Sequence, residues 1–203
     1  MSEAIRQESP LVERITPERK AASPADAGVT LRERPFLGYI NVRGNPEDGN
    51  FLEAVKGVAA VDLPLEANTV DEGDRCTAIW LGPNEWYLRT EAGAELDTIA
   101  RLEESLAGQV FAVNDVTSNF TTLVLGGPRA RDVLEKGCAL DLHPRVFGER
   151  TQCAQTLLSH AGIVIRPAGD GASFELVVRR SFADYVFVWL EDAAAEFGMA
   201  VTD

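Results

Sequence analysis

One short stretch is written twice in this chain. "VKGVAAVDLP" at residues 55–64 and "EKGCALDLHP" at residues 135–144 share Lys-Gly, Asp-Leu and a closing proline once a single residue of slippage is allowed. Both copies follow a helix opened by a Gly/Pro turn, at Arg43-Gly44-Asn45-Pro46 in the first case and Gly126-Gly127-Pro128 in the second. A match at the same point of two similar element orders predicts a duplicated unit. The class is therefore α+β, with two similar halves packed as one globule, each an antiparallel sheet with flanking helices. The halves are expected at residues 29–108 and 109–203, preceded by an extended N-terminal arm at residues 1–28.

Apolar spacing supplies the elements. Residues 29–42 read as strand, and Phe51, Leu52, Ala54 and Val55 give the following helix its apolar side. "TAIWLGPNEWYLRT" (77–90) reads as two strands about Gly82-Pro83-Asn84. An acidic helix at 94–107 carries Leu96, Ile99, Leu102 and Leu106 along one side. The second half repeats this order, with Gly169-Asp170-Gly171 as a hairpin turn. A last helix opens at Ser181 and ends at Gly198. The arm mixes Pro, Ser, Glu and Arg without apolar periodicity, which fits either a disordered tail or a strap lying on a partner.

The formal net charge of −13 is carried by the body, because residues 1–35 hold six Lys/Arg and six Asp/Glu and sum to zero. An acidic body repels phosphate backbones and anionic lipid, so nucleic acid and membrane surfaces are disfavoured as partners, and a more basic protein is not. No apolar run approaches a bilayer span and the N-terminus has no apolar signal segment, so the expected location is cytoplasmic. The three cysteines, Cys76, Cys138 and Cys153, are odd in number and lack C-x-x-C spacing, which argues against a disulfide framework.

"LEKGCALDLHP" (134–144) brings Cys138, Asp141 and His143 within a dozen positions, the ingredients of a thiol or metal site. Zinc needs three or four ligands, and this spacing offers two, with Cys153 and His160 unplaced. A thiol nucleophile at Cys138 would need a base, and only tertiary contact could supply His143 or His160. The first copy has Val58-Ala59 and Leu63-Pro64 at the matching places, so the shared pattern describes a helix exit. A glycine in the left-handed conformation ends the helix, an apolar step follows, and Asp141 makes a local turn. No P-loop or dinucleotide fingerprint is present. No catalytic, cofactor-binding or metal residue is assigned to the chain.

Residues expected at a partner contact are Leu11, Val12 and Ile15 of the arm and Trp86 of the 77–90 hairpin, beside Trp80 and Tyr87. The same expectation covers Arg129, Arg131, Arg179 and Arg180, the one basic feature of an acidic body.

At "LGPNEWYLRT", "NDVTSNFTTLVLGGPRARDVLEKGCALDLHPRVF", "RTQCAQTLLSHAGIVI" and "FELVVRRSFADYVFVWLEDAAAEFG" the chain resembles the gamma subunits of heterotetrameric sarcosine oxidases. The resemblance runs from "SPLVERI" (9–15) to the C-terminus. More distantly, Asp115-Val116-Thr117 and Gly127-Pro128-Arg129-Ala130 resemble the folate-binding fold of the glycine-cleavage T-protein. The resemblance implies an accessory, structural subunit of a complex that oxidatively demethylates sarcosine to glycine, passes the one-carbon unit to tetrahydrofolate and makes hydrogen peroxide. It implies alpha, beta and delta subunits as partners, chiefly alpha, and places FAD, FMN, NAD and zinc in those subunits. T-proteins carry an aspartate pair on a strand that matches Ala161–Arg166 here, where Ile165 and Arg166 stand instead. Without a carboxylate to hold or protonate the reacting amine, one-carbon chemistry by this chain is disfavoured. The alternatives are a stand-alone folate-binding, aminomethyltransferase-like protein and a gamma subunit of another N-methyl amino acid oxidoreductase.

Overall fold

The computed structural model describes residues 7–169 and 171–203. Arm residues 1–6 and Asp170 of the predicted hairpin turn lie outside the described residues. Sixteen regular elements follow in chain order among those described. The arm contributes helix α1 (Pro17–Ala21), and the first half runs β1 (Val29–Arg34), β2 (Gly38–Gly44), α2 (Gly49–Ala59), β3 (Val70–Glu72), β4 (Cys76–Gly82), β5 (Glu85–Thr90) and α3 (Glu95–Ser105). The second half runs β6 (Phe111–Asp115), β7 (Phe120–Gly126), α4 (Ala130–Glu135), β8 (Ala154–Leu158), β9 (Ala161–Ala168), β10 (Ser173–Arg179), α5 (Ala183–Ala193) and β11 (Met199–Val201).

The sheets carry the duplication in their strand orders. One runs β3-β4-β5-β2-β6 and the other β8-β9-β10-β7-β1, the latter extended by β11. Every position matches between the two, but the strand beside β2 and beside β7 comes from the other half. The two antiparallel sheets with flanking helices stand as expected, with β1 and β6 exchanged between them. Strand pairing is set by tertiary register and not by chain order, so β6 pairs with β2 and β1 with β7. All pairings are antiparallel except β1 with β11, where Val29 faces Met199.

Alternation along the strands builds four layers. Phe174, Leu176 and Val178 of β10 join Ile163 and Ile165 of β9 in a core with Val186, Phe187 and Leu190 of α5. Ile40, Val42, Trp86 and Leu88 of the other sheet pack on Phe51 and Val55 of α2 and Leu102 of α3. Between the two sheets lies a third, smaller apolar cluster that includes Tyr39, Ile79, Val164 and Val177. Helices thus cover the outer faces, and the sheets meet face to face.

The arm is not outside the core. Leu11 is fully buried in the α5-side core and Ile15 packs against it. Thr16 caps α1 by accepting from Arg19 N at 3.2 Å, with Pro17 at the first helical position. Arg14 pairs with Asp184 and Arg19 with Glu191, so the arm's cations meet carboxylates of α5. The absence of apolar periodicity misled because one leucine is enough to anchor a short strap.

Two further details differ from expectation. Leu96 on α3 is 66% exposed, outside the apolar side assigned to it, whereas Leu102 and Leu106 are buried. Neither repeat glycine ends a helix in the left-handed conformation. Gly57 lies inside α2, which runs on to Ala60 in the left-handed conformation at φ 52°, and Gly137 follows the end of α4 without positive φ. Gly137 is instead a close-approach residue, since a Cβ there would stand 2.3 Å from the ring of Trp189.

Candidate functional site

The segment 134–144 does not gather a site. Cys138 is buried, with its sulfur 3.9 Å from Thr156 Oγ1. Asp141 Oδ1 accepts from His143 N at 2.9 Å, the local turn expected for it, and His143 Nδ1 accepts from Arg145 N at 3.2 Å at the exposed surface. Thiol, carboxylate and imidazole are each committed to their own surroundings. Among the described residues no group of three or more His, Cys, Asp or Glu is placed to hold a metal ion. The other two cysteines are free and buried, and burial pushes the Cys76 and Cys153 thiols up to about 11.

The residues expected at a partner contact divide. Trp86 is fully buried and donates from its indole to Pro64 O at 2.8 Å, so it is a core residue; aromatic size on the inward side of β5 overrode its reading as surface. Leu11 is likewise core. Val12 is 51% exposed. The four arginines are not one cluster: Phe120 pairs with Arg179 at one end of the β7–β10 ladder, and Leu125, close before Arg129 and Arg131, pairs with Phe174 at the other. Arg129 pairs with Asp132 and lies over Phe197; Arg131 donates to Phe147 O and Gly171 O. Arg179 lies over Phe120, and Arg180 donates to Glu8 O.

Sequence reading missed the charged seam between the sheets. Glu175 of β10 is buried and its register partner on β9 is Arg166, also buried. From the other sheet Arg89, in register with Tyr39 and Thr77, donates to Glu175 Oε2, while Arg34, at the end of β1 in the same sheet as Glu175, donates to Oε1 at 3.1 Å. Arg166 Nε stands 3.1 Å from Oε2, close enough for charge pairing but too far off line to count as a hydrogen bond, and its Nη1 has no hydrogen-bond partner among the described residues. Arg166 also pairs with Glu72, which Arg150 caps from outside. Tyr39 and Thr122 share a 2.6 Å hydroxyl contact across the seam. Burial pushes the Glu175 carboxyl up, but Arg89 and Arg166 outweigh it and hold the group below its ordinary 4.5. The available signal was a lone charge inside an apolar strand, as in "SFELVV", "GIVIRPA" and "WYLRT".

A family model described as "Sarcosine oxidase, gamma subunit family" matches residues 43–196. The chain belongs to the sarcosine oxidase gamma subunit family. It is 34% identical over 195 residues to the sarcosine oxidase subunit gamma of Corynebacterium sp. (strain P-1), covering 94% of both chains. To the Arthrobacter sp. subunit gamma it is 32% identical over 181 residues, covering 89% of this chain and 87% of that one. A solved structure, the heterotetrameric sarcosine oxidase from Corynebacterium sp. U-96 in complex with pyrrole 2-carboxylate, matches with a TM-score of 0.84 and 30% identity over 94% of this chain and 96% of the other. The aminomethyltransferase T of the Bartonella henselae glycine cleavage system matches at TM-score 0.62 and 18% identity, over 87% of this chain and 48% of that one, a likeness of fold alone. Arg166 on β9 is buried in ion pairs with Glu175 and Glu72.

Proposed function

We propose that this chain is a non-catalytic accessory subunit of a sarcosine-oxidising complex. The complex demethylates sarcosine to glycine, transfers the one-carbon unit to tetrahydrofolate and releases hydrogen peroxide. The observation that carries the reading is end-to-end similarity to the curated subunit gamma, over 94% of each chain. Alpha, beta and delta subunits are its partners, alpha chiefly, and FAD, FMN, NAD, zinc and the folate site belong to them. Arg166, committed to the seam, supports a chain without one-carbon chemistry of its own. Val12 and the exposed guanidiniums of Arg129 and Arg179 are the contact residues that keep this role.

Co-expression with the three partner subunits, followed by size exclusion, tests the assignment. The chain is expected to elute with the complex and to be needed for its assembly, while the isolated chain shows no heat with tetrahydrofolate. A monomeric chain beside an assembled, active complex would overturn the reading. Heat of binding would favour the folate-binding alternative.

A further inference from the structure

The chain passes between the sheets at residues 35–37 and again at 116–119, the two equivalent crossovers of the repeat. Thr117 ties them together: its hydroxyl accepts from Tyr39 N at 3.0 Å, and the neighbouring Val116 N donates to Tyr39 O at 2.9 Å. Between these crossovers, the first turn of α3 and the arm lies a cavity of about 390 Å³. Pro10, Pro35, Phe36, Leu96 and Phe120 give it an apolar wall. Among the described residues its charged groups are three carboxylates, Glu8, Glu95 and Asp115, against one guanidinium, Arg180, which is turned to the Glu8 carbonyl.

Glu95 is the informative group. It is 8% exposed, and its Oε2 is buried without a hydrogen-bond partner among the described residues. The backbone makes room for it: a Cβ on Gly38 would stand 2.9 Å from that oxygen and 2.2 Å from Thr90 Oγ1. A buried carboxylate oxygen without a donor is unfavourable in the isolated chain, and turning the carboxylate toward a donor seated in the cavity removes the penalty. Leu96, the residue after it, is 66% exposed, which leaves apolar surface beside the acidic cavity.

We propose that this crossover cavity is a socket for one basic side chain, lysine or arginine, of a partner subunit. The inference rests on the accessory-subunit reading. A long basic side chain has the matching build, an alkyl stem for the apolar wall and a cationic head for Glu95. The acidic body favours approach of a cationic surface, and an anchor seated in a pocket with apolar surroundings is the usual form of an energetically dominant contact.

The test measures affinity of the labelled full chain for the remaining subunits at low and high salt, for wild type, Glu95→Gln and Asp115→Asn. Glu95→Gln is expected to weaken assembly by about tenfold or more and to reduce its salt dependence, with Asp115→Asn acting in the same direction but less. In the isolated chain Glu95→Gln is expected to raise Tm or leave it unchanged, because an unpaired buried charge is removed. A carboxylate with a purely structural role would not combine a stable variant with weakened assembly. Wild type that fails to assemble overturns the subunit reading itself. Wild type that assembles with both variants matching it overturns only the socket. Saturable binding of n-butylammonium to the free chain, with assembly indifferent to Glu95→Gln, also overturns it and assigns the cavity to a free amine.

Discussion

Phe174 and Glu175 are adjacent on β10 and face opposite layers, one a helix-covered apolar core, the other a seam held by charge. On the helix side, many small contacts add up, and removing atoms costs in proportion to what is lost. In the seam, a single carboxylate serves Arg34, Arg89 and Arg166 from both sheets. Arg34 and Arg166 share the sheet of Glu175, and only one lateral placement of the sheets brings Arg89 to the same carboxylate, whereas Val164 and Val177 would tolerate sliding. The helix side supplies stability, and the seam supplies registration between the exchanged halves.

The largest expected effect breaks the seam. Glu175→Ala leaves buried guanidiniums without their common partner and should cost about 3–5 kcal/mol in urea unfolding. Joint replacement by Arg89→Met, Arg166→Met and Glu175→Leu should return stability to the wild-type level or above it, since the desolvation cost disappears with the charges. If the joint variant stays as unstable as Glu175→Ala, the seam contributes net stability and the contrast drawn above is wrong.

Acid sharpens the same comparison. The folded pKa of Glu175 is depressed, so its contribution is present above the ordinary value of 4.5 and is lost as pH falls through the folded value. Glu72, also depressed, works in the same direction: burial raises it, and Arg166 and Arg150 more than offset that. Wild-type stability should therefore fall more steeply below pH 4.5 than that of the joint variant, read from urea midpoints across an acid series. Equal slopes would place the acid sensitivity elsewhere.

How much of this was legible depends on the range of the interaction. The hairpin 77–90 and the helix 94–107 appear as β4, β5 and α3 because turn residues and apolar spacing are local signals. The three-residue β11 was missed, because its length gives no alternation to read and its parallel pairing with β1 is a tertiary fact. The same holds for the exchange of β1 and β6. Thr16-Pro17 did announce α1, but without an apolar stripe the signal was passed over. The arginines at 129–131 and 179–180 are near in composition and apart in space, since the β7–β10 ladder separates them. The seam was hidden by the rule that charged residues lie outside.

The repeat glycines test whether the helix side is as tightly filled as its burial implies. Gly137→Ala pushes a methyl into the Trp189 ring and should cost about 1–3 kcal/mol by overpacking. Gly57→Ala has open space within 4 Å and sits in the interior of α2, so it should stabilise by about 1 kcal/mol. Opposite signs at matching positions of the duplication would be read directly as shifts in urea midpoint. The same sign at both would show that the two copies are packed alike.

The smallest effect falls on Cys138, the residue that first made "LEKGCALDLHP" look like chemistry. Its sulfur is 3.9 Å from Thr156 Oγ1 in the α4–α5 core, and no imidazole is among its hydrogen-bond partners. Cys138→Ala removes one buried heavy atom and should cost about 0.8 kcal/mol, the value of a methylene-sized group. Activity of the reconstituted complex should be unchanged, measured as peroxide release per assembled complex. A large activity loss with assembly intact would mean that this side of the molecule carries chemistry after all, and that its core is not only packing.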